Sequence, residues 1–393
     1  MKKRFSVIFI LLAFILTISV LSGFTKNSAF ADTTISSLTT QSKSAYLIDA
    51  NTGTLIYSNN ENEKLPIASM CKIMTLLLCF DALESEEISL GEEIVVSEVA
   101  SGMGGSQVFL ETNGKYTVGE LIKSITVASA NDACVAMAER LCGSEAEFTL
   151  RMNQKAQELN MNNTNFVNCT GLPSAGQYSC AKDVATMFSK LLEHEQYFKF
   201  SRIWTDVVKH PNDRVTEISN TNKLIRFYSG CDSGKTGYTN EAGHCLAASA
   251  MRNGMRLIAV VIKAPDSKCR FKDVSSMFNY GFANYVNKLI VDDKKPLDIT
   301  VEICGGKKNT LEVVAEKPLY LFSSRSEKRS VEIDFIPTCK IKAPILKGEV
   351  VGELIVYENG TQILSVNVLS NEDVLEKTYF DNIKDVADNW TII

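Results

Sequence analysis

A serine and a lysine, Ser69 and Lys72, stand three positions apart immediately before an apolar run. On a helix, residues i and i+3 share a face, so the Lys72 amine can reach the Ser69 hydroxyl. A lysine in its neutral form can act as the base that activates a serine nucleophile. The spacing alone is weak, because a second copy occurs at Ser179 and Lys182. There we interpret Ser179 as the N-cap of the helix that follows.

The rest of the sequence indicates which residue type would act as the base for a serine nucleophile. The three histidines, His194, His210 and His244, have no serine or acid beside them in a triad-like pattern, which argues against a Ser-His-Asp hydrolase. Two tripeptides downstream favour a lysine-based site instead. Ser129-Ala130-Asn131 falls at a break in a helical stretch, and Lys235-Thr236-Gly237 precedes a strand-forming segment. We expect both to converge on Ser69.

The ordered trio S-x-x-K, S-x-N and K-T-G is the set found in penicillin-binding proteins and serine β-lactamases. Over nearly its whole length the chain resembles low-molecular-weight penicillin-binding proteins of the peptidase S11 type, the serine D-alanyl-D-alanine carboxypeptidases. The segments "GGSQVFLE", "FVNCTGLP", "NTNKLI" and "SSMFNYGF" carry the resemblance further. It looks nearest to the sporulation-associated members from Gram-positive spore formers. The implied fold is α+β, a β-lactamase/DD-peptidase-like antiparallel sheet flanked by helices.

The resemblance implies a role for each motif residue. Ser69 would attack the D-Ala–D-Ala peptide bond of a peptidoglycan pentapeptide stem and become acylated. Lys72 would be the base, kept neutral by burial and by the nearby cation Lys235. Ser129 would pass a proton to the leaving amine, and Asn131 would hold the substrate amide. β-Lactam antibiotics would acylate the same serine, and no metal or cofactor is expected.

The K-T-G segment is implied to bind the substrate. Lys235 would bind the terminal carboxylate, with the Thr236 hydroxyl as a second contact. Gly237 would leave the strand bare for an extended substrate. The backbone N–H groups of Ser69 and Tyr238 would form the oxyanion hole. One departure from the family pattern is Cys71 in place of the usual threonine, which puts a thiol next to the nucleophile and suggests sensitivity to oxidation or thiol reagents.

Two alternative functions remain open at this point. A serine β-lactamase shares the trio but deacylates with a glutamate in an E-x-x-L-N motif. The sequence "QELN" at 157–160 resembles that motif, yet Ala156 stands at the glutamate position and the stretch is predicted to end a helix. A non-catalytic binder of cell-wall peptide is the second alternative. The full set of nucleophile, base and carboxylate anchor argues against it.

The N-terminus predicts export. A basic start, the apolar run 5–24 and the small-x-small site "AFA" before Asp32 are typical of a signal peptide over residues 1–31. The run is long enough for a membrane anchor, but the cleavage site favours removal. Removal takes away four basic residues and no acidic one, so the formal charge of −5 becomes −9. Such an acidic surface argues against nucleic-acid binding.

Three regions follow the leader. Residues 32–292 alternate helical stretches with hairpins at 44–58 and 244–264, an α+β pattern that predicts the catalytic domain. Residues 297–370 contain short β-branched runs and predict a small all-β domain. Residues 371–393 are predicted to form an amphipathic helix. Its apolar stripe consists of Leu375, Tyr379, Ile383, Val386 and Trp390.

The C-terminal tail has two alternative predicted contacts. Residues 372–393 offer a possible peripheral contact with the outer face of the membrane, although six acids against two lysines oppose binding to anionic lipid. Packing of the tail on the β domain is the alternative.

All eleven cysteines lie beyond the leader, none of them in a C-x-x-C pair. An odd number cannot pair fully within one chain, and several lie in apolar runs, so we expect buried free thiols.

Overall fold

The computed structural model describes residues 38–211, 213–338 and 340–383. The predicted signal peptide lies outside the described residues, as do Val386 and Trp390 of the predicted tail stripe. Within the described ranges, no helix combines the length and the apolar character needed to cross a bilayer.

The first region is built on a five-stranded antiparallel sheet. Its strands are β1 (Ser44–Asp49), β2 (Leu55–Asn59), β7 (Cys231–Thr239), β8 (Gly243–Arg252) and β9 (Met255–Ala264). They are arranged in the order β2-β1-β9-β8-β7. Two small hairpins lie outside it, β3 (Glu93–Val95) with β4 (Lys115–Thr117), and β5 (Thr205–Lys209) with β6 (Val215–Ser219). Both predicted hairpins of the main sheet are confirmed. β7 lies at the edge, and it carries the K-T-G residues.

Nine helices with complete bounds accompany these strands in the described ranges. They are α1 (Lys72–Glu84), α2 (Glu98–Ser101), α3 (Val118–Ala128), α4 (Asn131–Cys142), α5 (Glu145–Glu158), α6 (Ala181–Leu191), α7 (Tyr197–Ser201), α8 (Leu224–Phe227) and α9 (Ser267–Asn284). The predicted interruption near Ser129 separates α3 from α4. The predicted α+β class, with an antiparallel sheet flanked by helices, is confirmed.

The sheet is buried on both faces because its strands alternate between two apolar layers. Ile258 and Val260 of β9 join the large core that contains the apolar residues of α1, α4 and α6. Leu257 points to the other face, where it approaches Gly281 of α9. The central strands therefore contain long apolar runs. Residues 257–262 of β9 are one such run, and all six are fully buried. On this sheet, β7 lies against residues 67–70, the segment just before α1 that contains Ser69 of the first motif.

The second region is all-β, as predicted. Its strands are β10 (Tyr285–Val291), β11 (Val301–Glu302), β12 (Thr310–Leu311), β13 (Val313–Ala315), β14 (Leu319–Ser324), β15 (Glu332–Pro337), β16 (Val350–Glu358) and β17 (Thr361–Ser370). Four of them form a sheet in the order β13-β17-β16-β15, and β10 pairs with β14. Residues 285–291, which the sequence placed in the catalytic region, thus pair with a strand of the second region.

The tail differs from the prediction over its first residues. Residues 371–378 are not helical: Val374 exchanges backbone hydrogen bonds with Ile345, and the Lys307 N–H donates to the Leu375 carbonyl at 2.9 Å. Leu375 is therefore not part of a helical stripe. Helix is present at residues 379–383. The bridges satisfy backbone groups of the β region, which explains why local helical periodicity was overridden there.

Candidate active site

The candidate nucleophile lies in a 3₁₀ turn, Ala68–Cys71, that leads directly into α1. Ala68 has a φ of +47°, a left-handed conformation that costs energy for a residue with a Cβ. Its neighbour Ser69 is only partly buried, whereas Ala68 and Met70 are buried. The turn thus holds the Ser69 hydroxyl at a reachable surface between two anchored residues.

Lys72, the first residue of α1, is fully buried. Its Nζ atom lies 3.0 Å from the Ser69 Oγ atom and donates to the Thr170 carbonyl at 2.5 Å. No described acidic side chain forms a salt bridge with it. Burial lowers the pKa of Lys72 because an isolated ammonium is poorly solvated there. A neutral Nζ has a lone pair that can accept the Ser69 proton across the 3.0 Å contact.

Ser129 and Lys235 form a second buried pair. Ser129 ends α3 in a left-handed conformation, with a φ of +62°. This kink directs the chain into α4 and leaves Ser129 next to β7. The Lys235 Nζ donates to the Ser129 Oγ at 2.7 Å. The pKa of Lys235 lies well below its ordinary value because of burial and of the charge of Lys72. Protonation of either amine, Lys72 or Lys235, therefore disfavours protonation of the other.

Asn131 begins α4 and is buried beside the loop around residue 104. Its Nδ2 donates to the Gly104 carbonyl at 2.7 Å. Its Oδ1 is buried without a hydrogen-bond partner in the described part of the chain. An unsatisfied buried acceptor costs roughly 1–3 kcal/mol. A ligand N–H would remove that cost, which fits the expected contact with a substrate amide.

The K-T-G residues lie within β7 itself, which corrects the prediction that they only precede a strand. The structure also gives a packing reason for Gly237, whereas its predicted role towards the substrate stays a prediction. A Cβ at Gly237 would lie 2.6 Å from the Ile67 carbonyl oxygen and 3.2 Å from the Ala68 Cβ. Its lack of a side chain therefore lets β7 approach the nucleophile turn. Thr236 is 6% exposed, and Tyr238 is exposed with its ring stacked on His244 at 4.4 Å between centroids.

Sequence reasoning missed the loop that supports the nucleophile turn. Gly171, with a φ of +80°, is so close that a Cβ there would lie 2.1 Å from the Ala68 carbonyl oxygen. The Asn168 Oδ1 accepts hydrogen bonds from the backbone N–H of Gly171 at 2.7 Å and of Thr170 at 3.3 Å. This holds the Thr170 carbonyl against Lys72. This loop contains the segment "FVNCTGLP", whose Asn and Gly are the sequence signals for a tight turn.

Two further charged residues were missed. Asp132 is fully buried, and its carboxylate accepts the backbone N–H of Val108 at 3.1 Å and of Leu110 at 3.0 Å. It thereby ties the loop beside Asn131 to α4. Arg270 of α9 donates to the Gly237 carbonyl at 3.1 Å, behind the K-T-G strand. The S-x-N-D sequence was a signal for Asp132, whereas nothing local distinguished Arg270 from other helix-surface arginines.

Several expectations concerned residues elsewhere. Ser179 is not an N-cap, because Cys180 caps α6 and the Ser179 hydroxyl instead contacts the Thr164 hydroxyl at 2.8 Å. The "QELN" sequence does fall at the end of α5, with Ala156 buried. His194 contacts Asp81 and Glu84, away from any motif serine.

The cysteines are free thiols in the part of the chain that the structure describes. Cys71 is fully buried and donates to the Asn168 carbonyl at 3.2 Å. Burial raises the pKa of Cys71 well above its ordinary value, and a protonated, inaccessible thiol reacts slowly. The geometry therefore disfavours the expected sensitivity of Cys71 to thiol reagents.

Comparisons with known proteins place this site in context. Residues 31–266 match the peptidase S11 family, described as D-alanyl-D-alanine carboxypeptidase, and residues 286–376 match the C-terminal domain of penicillin-binding protein 5. The chain is 39% identical to D-alanyl-D-alanine carboxypeptidase DacF of Bacillus subtilis, over 91% of this chain and 92% of the relative. It is 29% identical to the carboxypeptidase DacC of Escherichia coli, over 93% of this chain and 95% of the relative.

Solved structures agree. Penicillin-binding protein 5 of Haemophilus influenzae superimposes with a TM-score of 0.67 at 28% identity, covering 86% of this chain and 98% of that one. A peptidoglycan synthesis regulatory factor, PBP3 of Streptococcus pneumoniae, gives a TM-score of 0.72 at 26% identity, covering 86% and 100%. The similarity thus spans both regions of the fold.

Proposed function

Because the chain belongs to the D-alanyl-D-alanine carboxypeptidase family, peptidase S11, we propose that it removes the terminal D-alanine from peptidoglycan pentapeptide stems through an acyl-enzyme on Ser69. This assignment rests on the position of the Lys72 side chain. Lys72 is fully buried, forms no salt bridge with a described acidic side chain, and places its Nζ 3.0 Å from the Ser69 Oγ. A serine alone is a weak nucleophile near neutral pH, and an adjacent neutral amine supplies the missing base.

In the first half-reaction the Ser69 Oγ attacks the carbonyl carbon of the penultimate D-alanine, and Lys72 takes the hydroxyl proton. The C–N bond then breaks. Ser129, hydrogen-bonded to Lys235 at 2.7 Å, passes its hydroxyl proton to the leaving amine of D-alanine. The proton that Lys72 took from Ser69 then replaces it on Ser129, so Lys72 is neutral again. In the second half-reaction water attacks the ester and gives a proton to Lys72. The tetrapeptide leaves, and this proton returns from Lys72 to the Ser69 oxygen.

The remaining motif residues bind and orient the substrate. Lys235 and Thr236 bind the terminal carboxylate at the edge strand β7, and Asn131 receives the substrate amide on its unpaired Oδ1. The N–H groups of Ser69 and Tyr238 stabilise the tetrahedral oxyanion, and loss of such a donor costs about 10²–10³ in rate. Penicillin carries a reactive amide and a carboxylate at a comparable spacing, so it acylates the same serine.

The β-lactamase alternative lacks support from any specific observation. Ala156 occupies the position of the deacylating glutamate and is buried in α5. The β region, matched to the C-terminal domain of penicillin-binding protein 5, is a further difference from a lone β-lactamase domain. A binder without catalysis does not account for a base positioned on the nucleophile.

We also propose an exported protein that acts on the cell-wall side, with residues 1–31 as its signal peptide and with a role in sporulation. The pairing of β10 with β14 supports a β domain that begins near residue 285 rather than 297. Residues 372–393 are proposed to contact the membrane surface peripherally. Flotation with neutral liposomes, with and without residues 372–393, tests this contact: loss of flotation on truncation supports it, and no flotation of the full chain contradicts it.

The activity is tested with residues 32–393 purified and mixed with a muramyl pentapeptide. Released D-alanine is measured for the wild type and for Ser69→Ala. The proposal predicts release by the wild type and none by the variant. Ser179→Ala, at the second S-x-x-K sequence, is the matched control and retains activity. If the wild type releases no D-alanine, the result favours a non-catalytic binder of cell-wall peptide. Rapid nitrocefin turnover would favour a β-lactamase.

A further inference from the structure

A narrow groove runs beside the nucleophile turn and ends at an acidic side chain. Its walls are formed by Ala68 of the turn, by Leu172, Pro173 and Gln177 of the supporting loop, and by Thr239 and Glu241 just beyond β7. We call it the Glu241 groove. It includes Ala68, the neighbour of Ser69 in the nucleophile turn, whereas Glu241 contacts none of the catalytic residues.

The walls of the groove are held in place. The Gln177 Oε1 accepts the backbone N–H groups of Val167 and Asn168, both at 2.9 Å. On the opposite wall the Thr239 Oγ1 accepts the Ala242 N–H at 3.0 Å, which fixes the turn that carries Glu241. A groove whose walls are preorganised binds a ligand at less entropic cost than mobile loops do.

Among the residues that line the groove, Glu241 alone carries a charge. Glu241 is exposed and has no hydrogen bond or ion pair to any described residue. No lysine or arginine lines the groove. The other lining side chains are small, apolar or neutral. An unpaired carboxylate at the end of a neutral groove favours a ligand with a positive charge at the matching position.

The direction of the bound peptide follows from β7. Because β7 is the edge strand, an extended peptide can lie along its free side. With its terminal carboxylate at Lys235 and its scissile carbonyl at Ser69, the rest of the peptide continues toward Thr239. An extended chain rises about 3.3 Å per residue. The residue that precedes D-Ala–D-Ala then lies by the Glu241 groove.

We infer that Glu241 binds the side-chain ammonium of a diamino acid located immediately before D-Ala–D-Ala. This inference rests on the proposed function and specifies its substrate class: stems whose diamino residue has a free amine. A stem acylated on that amine has lost the positive charge and is a poorer substrate. The enzyme therefore acts ahead of the reaction class that joins this amine to another stem.

Two peptides that differ only in this charge test the inference. They are Nα-acetyl-Lys-D-Ala-D-Ala, with a free side-chain amine, and its Nα,Nε-diacetyl form. For the wild type we expect kcat/KM to favour the free amine by about fivefold, the upper range for an exposed ion pair. The preference should disappear in Glu241→Gln and be reversed in Glu241→Lys. It should also shrink when NaCl is raised to about 0.5 M, since salt screens exposed charges.

The controls separate this inference from the proposed function. Glu195→Gln, an exposed glutamate after α6 that does not line the groove, makes the same charge change and should keep the preference. Acylation by benzylpenicillin, which has no amine, should be unaffected by Glu241→Gln. Equal rates on the two peptides, with D-alanine released from both, would overturn the Glu241 assignment alone. Release from neither peptide would overturn the proposed function and this inference with it.

Discussion

The Lys72 Nζ atom and the Ser69 Oγ atom lie 3.0 Å apart, and the lysine is fully buried. The contact joins the first residue of α1 to the 3₁₀ turn before it. The turn is held by Gly171 and Gly237, which approach it from two sides without side chains. The geometry of the nucleophile and its base is thus set by close backbone packing around the turn, beyond the motif itself.

The first prediction concerns Lys72→Met. Loss of the base should lower the acylation rate by fluorescent penicillin about 10²–10⁴-fold. The free energy of unfolding at pH 7 should fall by no more than about 1–2 kcal/mol, because the lost hydrogen bond to Thr170 is offset by removing a buried amine. Lys190→Met, an exposed lysine on α6, serves as a control and acylates normally. Wild-type acylation by Lys72→Met would exclude Lys72 as the base.

The lowered pKa of Lys72 predicts a pH dependence of both rate and stability. The acylation rate should fall as pH drops through that pKa, because protonation removes the lone pair. In the unfolded chain the lysine pKa returns to about 10.4. Between the two pKa values the unfolded state binds more protons, so Lys72 makes stability rise with pH there.

Urea unfolding at a series of pH values from about 6.5 to 10 measures this rise in stability when the wild type is compared with Lys72→Met, because both proteins contain the same thiols. The rise should be smaller in Lys72→Met than in the wild type. An identical pH dependence in the two proteins would mean that the lysine binds its proton equally in both states, contrary to its burial.

Buried thiols predict the opposite trend in alkali. Burial raises the pKa of eight described cysteines, for example that of Cys245 to about 11. In the unfolded chain a thiol ionises near pH 8.5. The native state therefore keeps protons that the unfolded state loses, and stability present below about pH 8.5 is lost as pH rises, by up to about 1.4 kcal/mol per thiol per pH unit.

Unfolding curves at pH 7.5 and 9.5 check this loss. Eight thiols outweigh the two active-site lysines, whose contribution has the opposite sign, so the net stability should decrease. Cys245→Ala should reduce the decrease by up to about 1.4 kcal/mol per pH unit above about pH 8.5. Stability that is unchanged at pH 9.5 would contradict the burial of these thiols.

Gly171→Ala tests the loop behind the nucleophile. The added Cβ would lie 2.1 Å from the Ala68 carbonyl oxygen and 2.9 Å from the Ser69 nitrogen, so the turn must move. We expect a loss of more than about 2 kcal/mol in stability and at least about tenfold in acylation rate. Gly176→Ala, in the same loop with a φ of +84° but no neighbour closer than 3.9 Å, is matched in backbone strain. It should cost only about 1 kcal/mol and leave the rate unchanged. Equal effects of the two substitutions would show that the packing at Gly171 is unimportant.

The sequence predicted the parts of the fold that depend on local patterns. Apolar periodicity located α1, the break at Ser129 and the hairpin of β8 and β9, because each pattern matches the period of its element. The order of the motifs predicted which serine to choose. At the second S-x-x-K sequence the predicted N-cap was wrong by one residue, because Cys180 rather than Ser179 caps the helix.

What the sequence did not predict depends on contacts between distant segments. Gly171 meets Ala68 across about a hundred residues, and the role of Gly237 became clear only once β7 was seen against the nucleophile turn. Residues 371–378 show the same limit, since their bridges to Ile345 and Gly306 override a helical pattern. Such tertiary contacts leave no local period or spacing in the sequence.

The most direct test of the central claim is to locate the acyl group. The purified chain is treated with benzylpenicillin, digested at low pH to preserve the ester, and analysed by peptide mass spectrometry. We expect a single penicilloyl adduct on the peptide that contains Ser69, absent in Ser69→Ala and not on the peptide that contains Ser179. An adduct on another serine, or D-alanine release that persists in Ser69→Ala, would contradict it.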